Sequence, residues 1–463
     1  MTQKFFFIGC FFLLGIAQGN SQANLDCKTK LSLFHPSVVA QKYDEAFENW
    51  KFVFENCPDL NLAIYADGEK MLKHKIKTIE GNTKVNFIEL LLTVWDKRQQ
   101  YYASQTPIGE YEAKACQLLY DHKDIMGNAQ LKLYSCFDNA FTKDQKTFRN
   151  PKNLYTYFSL VSELHDSGEK SDAELFDTYD DVVGKIAVEV ENYSEKLNML
   201  ISKTEQGETL SKRDERKKSA YESYLKAYAL IQENIDKIAD RKANCQNLVP
   251  LYTKYFNTKQ NDSVWLKRSV SRLYHKECTS EELYEKLVKH YDKVAPSADT
   301  KVFVATVLLE NGKDEEAYKY LEEAFKLEKR PYKKANLAIR IGVIYKNKGR
   351  YATARAYLLE ALKLNPSNGR PHILIAEMYK ESAKNKSCGK DNFFQRAVYW
   401  LAIDEVKKVS RLDPTLQKIV QQYADSYASK APTKVEIFNR DMSAKHIDIN
   451  CWINRYTKVP KLD

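Results

Sequence analysis

Glycine and proline are scarce, at 15 and 12 in 463 residues. So few chain-breakers exclude collagen-like and loop-rich folds and leave room for long helices. Beyond the first two dozen residues, no stretch is apolar enough to cross a bilayer, which needs ~20 apolar residues. Chemistry-bearing motifs are missing as well. The chain has no strand-turn-helix glycine loop for phosphate, no His-Glu-x-x-His and no Gly-x-Ser-x-Gly. His275 and Cys278 make only half a metal site, with no second matched pair. Asp180 and Asp181 are adjacent, so on a helix they point apart and read as a solvated face. The net charge of +10 is spread without a basic cluster, which argues against nucleic acid as a partner. The expectation is a chain with no catalytic residue, no metal and no cofactor.

What remains is charged and tyrosine-rich: 29% charged residues, 30 Tyr and a mean hydropathy of −0.56. Amphipathic helices explain that balance. The stretch Lys334 to Asn368 is the clearest case. Ala338, Ile341, Gly342 and Tyr345 share one helix face, Gly349 breaks the helix, and Ala354, Leu358, Ala361 and Leu362 share a face of the next. Asn365-Pro366 ends it, because proline disfavours a helical residue before it. Small residues at Gly342, Ala354 and Ala361 allow close approach of the two helices. Tyr345, Tyr351 and Leu358 fill what remains.

This pattern resembles the tetratricopeptide repeat, a helical hairpin that stacks into scaffolds. Upstream, Val304, Ala305 and Leu308, then Gly312, then Ala317, Leu321 and Ala324 repeat it. Downstream, Ile375, Ala376 and Tyr379 begin a further unit, interrupted by a polar insertion from Ser382 to Phe394 and closed at Asp413-Pro414. A fainter unit covers Trp265 to Pro296. Near the start, Tyr43, Ala46, Trp50, Val53 and Pro58 have the spacing of Tyr351, Ala354, Leu358, Ala361 and Pro366. The predicted fold is therefore all-α: a TPR-like helical-hairpin superhelix, or α-solenoid.

Between these ends, amphipathic helices are predicted at Phe87 to Tyr102, Tyr111 to His122, Gln130 to Phe141 and Leu154 to Leu164. Two longer ones follow, Ala173 to Lys203 and Lys212 to Arg241. Joined by a short loop, they predict a long antiparallel hairpin that projects from the array, with a charged tip at Lys212 to Lys218. At the C-terminus, Val435 to Phe438 and His446 to Ile453 read as a small β-hairpin or extended cap. The expected organisation is residues 1–23 a leader, 24–170 N-terminal repeats, 171–243 the long hairpin, 244–430 C-terminal repeats (clearest over 301–414) and 431–463 the cap.

The leader has the layout of a secretory signal: Lys4, an apolar run from Phe5 to Ala17, then small polar residues with cleavage expected after Gly19 or Ala23. It carries Cys10, which leaves eight cysteines in an exported chain and permits disulfides. Chain order suggests Cys27 with Cys57, Cys245 with Cys278, and Cys388 with Cys451. Cys116 and Cys136 fall on apolar faces and read as free buried thiols.

The opening CKTKLSLFHPSVVAQKYDEAFENW and the closing INCWINRYTKVPKL resemble exported TPR proteins of Bacteroidota. That resemblance implies a non-catalytic periplasmic or outer-membrane-associated scaffold. It implies protein or peptide partners in the cell envelope and allows peripheral association with the outer membrane. A glycan-binding module on the same framework is the alternative. Residues expected to face a partner groove are Phe303, Thr306, Asn336, Arg340, Tyr345, His372 and Glu377.

Overall fold

The computed structural model describes residues 15–462, with side chains described from Leu25 to Leu462 except Pro414. The expected leader, residues 1–23, lies outside the residues whose side chains are described. The chain divides into two compact units, one ending at Thr178 and the other beginning at Tyr179. Among the described residues, no helix is long and apolar enough to cross a membrane.

The first unit is a run of antiparallel helices, Gly15–Val39, Tyr43–Asn56, Ala63–Thr78, Asn82–Tyr101, Ile108–Asp121, Gln130–Lys143 and Pro151–Asp166. The spacing of Ala46, Trp50 and Val53 does what it predicted: all three are fully buried. The Trp50 indole also donates to the Ile64 carbonyl over 2.7 Å, so burying its N–H leaves no unpaired donor. Two disulfides staple this unit, Cys27–Cys57 and Cys116–Cys136. The second corrects the expectation of free thiols. Helices Ile108–Asp121 and Gln130–Lys143 pack side by side and bring the two Cα atoms to 5.8 Å, within disulfide reach.

In the second unit, helix pairs follow one another: Ser263–His275 with Glu282–Val294, Ala298–Glu310 with Asp314–Leu327, Pro331–Asn347 with Tyr351–Leu364, and Arg370–Ser382 with Val398–Leu412. The best-patterned pair packs as its sequence requires. Ala338, Ile341, Ala354 and Leu358 are fully buried. A Cβ on Gly342 would stand 3.0 Å from Leu358 Cγ, a tight contact that a larger residue could keep only by shifting the Leu358 side chain. Gly349, at φ +72°, takes the left-handed conformation that ends the first helix, and Gly312 does the same one pair earlier.

The two long helices form as predicted, at Asp172–Glu205 and Lys212–Asp240, with Gln206 to Ser211 between them. The expected C-terminal hairpin forms, but Val435 to Phe438 is not part of it. Val435 to Phe438 lies in a helix, Lys434–Asn439, and the only strands among the described residues are His446–Ile449 and Arg455–Lys458, paired antiparallel. Cys388 of the insertion is bonded to Cys451, and Cys245 to Cys278. The Arg355 guanidinium donates to the Ile453 carbonyl over 2.6 Å, and the Trp452 ring lies against Tyr351 and Tyr379. The tail is thus fixed to the last repeats by a covalent bond and by packing.

Candidate functional site

Two of the first helices are capped by side chains at their own N-termini. Asp262 accepts from the backbone of Val264 and Trp265, and Ser297 forms a reciprocal capping box with Thr300. These caps set the register of Arg268, Arg272 and Lys276, four residues apart on one side of Ser263–His275 and its C-cap.

That cationic row meets the long hairpin. Arg272 pairs with Asp180 and also donates to the Tyr252 hydroxyl; Arg268 pairs with Asp181; Lys276 pairs with Asp240. The two aspartates therefore belong to an interface, not to the solvated face expected of them. Asp236 accepts from the Tyr179 hydroxyl at 2.8 Å and from Gln232 at 2.9 Å. Burial, and then the Asp236 carboxylate, push the Tyr179 phenol well above its ordinary value. The protein packed around His275 lowers its pKa. Arg340 and Arg370 lower it further, while Asp236 opposes them. One first helix and its C-cap thus meet the hairpin's aspartates, while Arg340 and Arg370 act on the neighbouring His275.

Further along, Tyr332 feels Glu191 and Glu195 of the hairpin as well as its own burial and Asn336. Asn198 Nδ2 donates to Asn365 Oδ1 at 2.9 Å, and Asn198 Oδ1 accepts from the Ser367 amide at 3.0 Å. The hairpin does not project from the array, as its length suggested. It lies along it.

The residues expected to face a groove scatter accordingly. Phe303 and Tyr345 are buried, at 3% exposure each, and offer no surface to a partner, whereas His372, at 8%, lines a cavity of about 390 Å³ with Asp404, Lys407, Lys408 and Arg411. Tyr345 is stacked between Tyr318 and Tyr357. His372 Nδ1 lies 2.7 Å from Glu405. Thr306 bonds back to the Val302 carbonyl. Asn336 lies beside Tyr332. Glu377 is taken by Tyr423 at 2.8 Å and by Lys346 at 3.1 Å. Arg340 holds Asp299 at 2.8 Å and stacks on Tyr274 and Phe303, while its Nε and Nη2 are buried without hydrogen-bond partners. Of the seven, Arg340 is the one whose guanidinium still has unused donors, and it lies near the hairpin.

Sequence reasoning missed the hairpin carboxylates and Asn198. A signal was available, since Arg268, Arg272 and Lys276 recur at a spacing that stacks them on one helix side and require anions opposite. Among the described residues, no group of three His, Cys, Asp or Glu is placed to hold a metal.

With this geometry in view, residues 335–368 match the profile of the tetratricopeptide repeat. The chain carries a tetratricopeptide repeat. No curated protein matches it. Among solved structures, the human IFIT1 dimer with PPP-AAAA is 11% identical over 91% of this chain and 95% of that one, with a TM-score of 0.28. Yeast Tom70 is 12% identical over 91% and 94%, at 0.28. The Cut9–Hcn1 hetero-tetramer of the APC/C is 12% identical over 90% and 86%, at 0.25. These superpositions are too loose to carry any property across to the TPR chain.

Proposed function

We propose that this TPR chain is a non-catalytic, exported scaffold that binds protein or peptide partners in the cell envelope, in the periplasm or at the outer membrane. The observation that carries the reading is the seated hairpin. The array holds a helical segment through the charged row of one first helix and through Asn365 and Ser367 at the end of a second helix, which is the chemistry of protein recognition. Four disulfides support export, because such bonds persist in oxidising compartments. The apolar run at Phe5 to Ala17 supports it from the sequence.

The test is affinity capture. The chain lacking residues 1–23, immobilised with its disulfides intact, is exposed to envelope extract and crosslinked. A reproducible protein partner is expected. Retention by envelope polysaccharide with no protein captured would replace this reading with the glycan-binding one.

A further inference from the structure

The last helix pair of the array carries a cavity of about 390 Å³, within the range of small-molecule sites. His372, near the start of Arg370–Ser382, lines one side of it. Asp404, Lys407, Lys408 and Arg411 line the other. They recur at helical spacing, so they share one face of Val398–Leu412. Buried Glu405 braces the two sides. One of its oxygens lies 2.7 Å from His372 Nδ1, and the other accepts from Lys408 Nζ at 2.7 Å. Glu405 is therefore already neutralised, and His372 keeps only its Nε2 for a ligand.

The other charges of the lining have no such partners. Among the described residues, Lys407, Arg411 and Asp404 make no hydrogen bond or ion pair. Arg411 offers a forked donor and Lys407 a point charge, and together they match the double charge of a phosphate monoester. Asp404 selects further. Its carboxylate repels a bare anion but accepts hydrogen bonds from hydroxyl groups. Partial burial raises its pKa against the pull of Lys407 and Lys408, so water does not fully solvate it. A ligand that satisfies both features carries a phosphate beside hydroxyl groups.

We propose that this cavity binds a sugar phosphate, free or at the end of a glycan, with Lys407 and Arg411 on the phosphate and Asp404 on the sugar hydroxyls. The site goes beyond the scaffold reading and stands whether or not a protein partner is captured.

Isothermal titration calorimetry on the disulfide-intact chain tests it, with glucose 6-phosphate, ribose 5-phosphate, glucose and inorganic phosphate as probes. At least one sugar phosphate should bind about tenfold more tightly than glucose or inorganic phosphate. Arg411→Gln and Lys407→Gln should each weaken that binding about tenfold. Lys363→Gln, an equal loss of charge on a neighbouring second helix, should leave it unchanged. Asp404→Asn should tighten inorganic phosphate and erase the preference for the sugar. All four side chains are exposed, so the fold tolerates these changes. Retention on envelope polysaccharide that the bound sugar phosphate displaces would assign the ligand to a glycan end, and no retention would assign it to a free sugar phosphate. Binding of neither sugar phosphate, equal affinity for inorganic phosphate, equal weakening by Lys363→Gln, or a preference that survives Asp404→Asn overturns the proposal.

Discussion

A Cβ placed on Gly68 would stand 2.6 Å from Cζ2 of Trp50. The helix Ala63–Thr78 passes face-on against that indole, which is fully buried and fixed by its bond to the Ile64 carbonyl. Gly68→Ala would gain about 1 kcal/mol of helix propensity. Overpacking a rigid core costs about 1–3 kcal/mol, and the ring has nowhere to move. The clash should win. The expected outcome is a net loss of up to about 2 kcal/mol, measured by denaturant unfolding with Trp fluorescence as the probe.

The pair of Asp180 and Arg272 supplies a second prediction. The Arg272 side chain is 5% exposed. Asp180→Ala would leave a buried guanidinium short of its counter-charge, and breaking such a pair typically costs about 3–5 kcal/mol. Exchanging both residues for Leu and Met should cost less than the single change, because no buried charge remains. Thermal unfolding of the two variants, side by side, checks the order.

Much of this architecture was legible locally. Ala46, Trp50 and Val53, or Ala338, Ile341 and Leu358, announce their faces because helix periodicity alone places them together. Asp180 and Arg272 were not legible as partners, since 92 positions separate them and only the folded hairpin brings them together. Phe303 and Tyr345 fell in the core for a subtler reason. Each residue turns a helix by about 100°, so a small error in helix rotation exchanges groove for core. Val435 to Phe438 read as strand from its β-branched and aromatic residues. A capping box between Thr433 and Glu436 overrides that propensity and starts a helix.

The bond between Cys388 and Cys451 should matter beyond its own neighbourhood. It joins the insertion to the tail across 63 residues. Removing a bridge over such a loop typically costs about 2–4 kcal/mol. Replacing both cysteines by serine should lower the unfolding midpoint and make residues 440–463 the first site of proteolysis. The bond from Arg355 to the Ile453 carbonyl should keep the tail docked in part, so cleavage is accelerated and not immediate.

Glu405 gives a pH dependence with a definite sign. Its side chain is 4% exposed, and burial alone would raise its pKa. His372 at one oxygen and Lys408 at the other outweigh that and hold it below 4.5. Its contribution to stability is therefore complete above 4.5 and is lost as pH falls through the folded value. Unfolding curves recorded between neutral pH and pH 3 should show that loss. Glu405→Gln should be less stable at neutral pH and flatter across the acid range.

The central claim is that the array binds protein. Crosslinking mass spectrometry on the disulfide-intact chain with its captured partner tests it most directly. The account predicts reproducible crosslinks concentrated on lysines of the second unit, such as Lys334 and Lys418. No reproducible partner, or crosslinks spread evenly over both units, would contradict it.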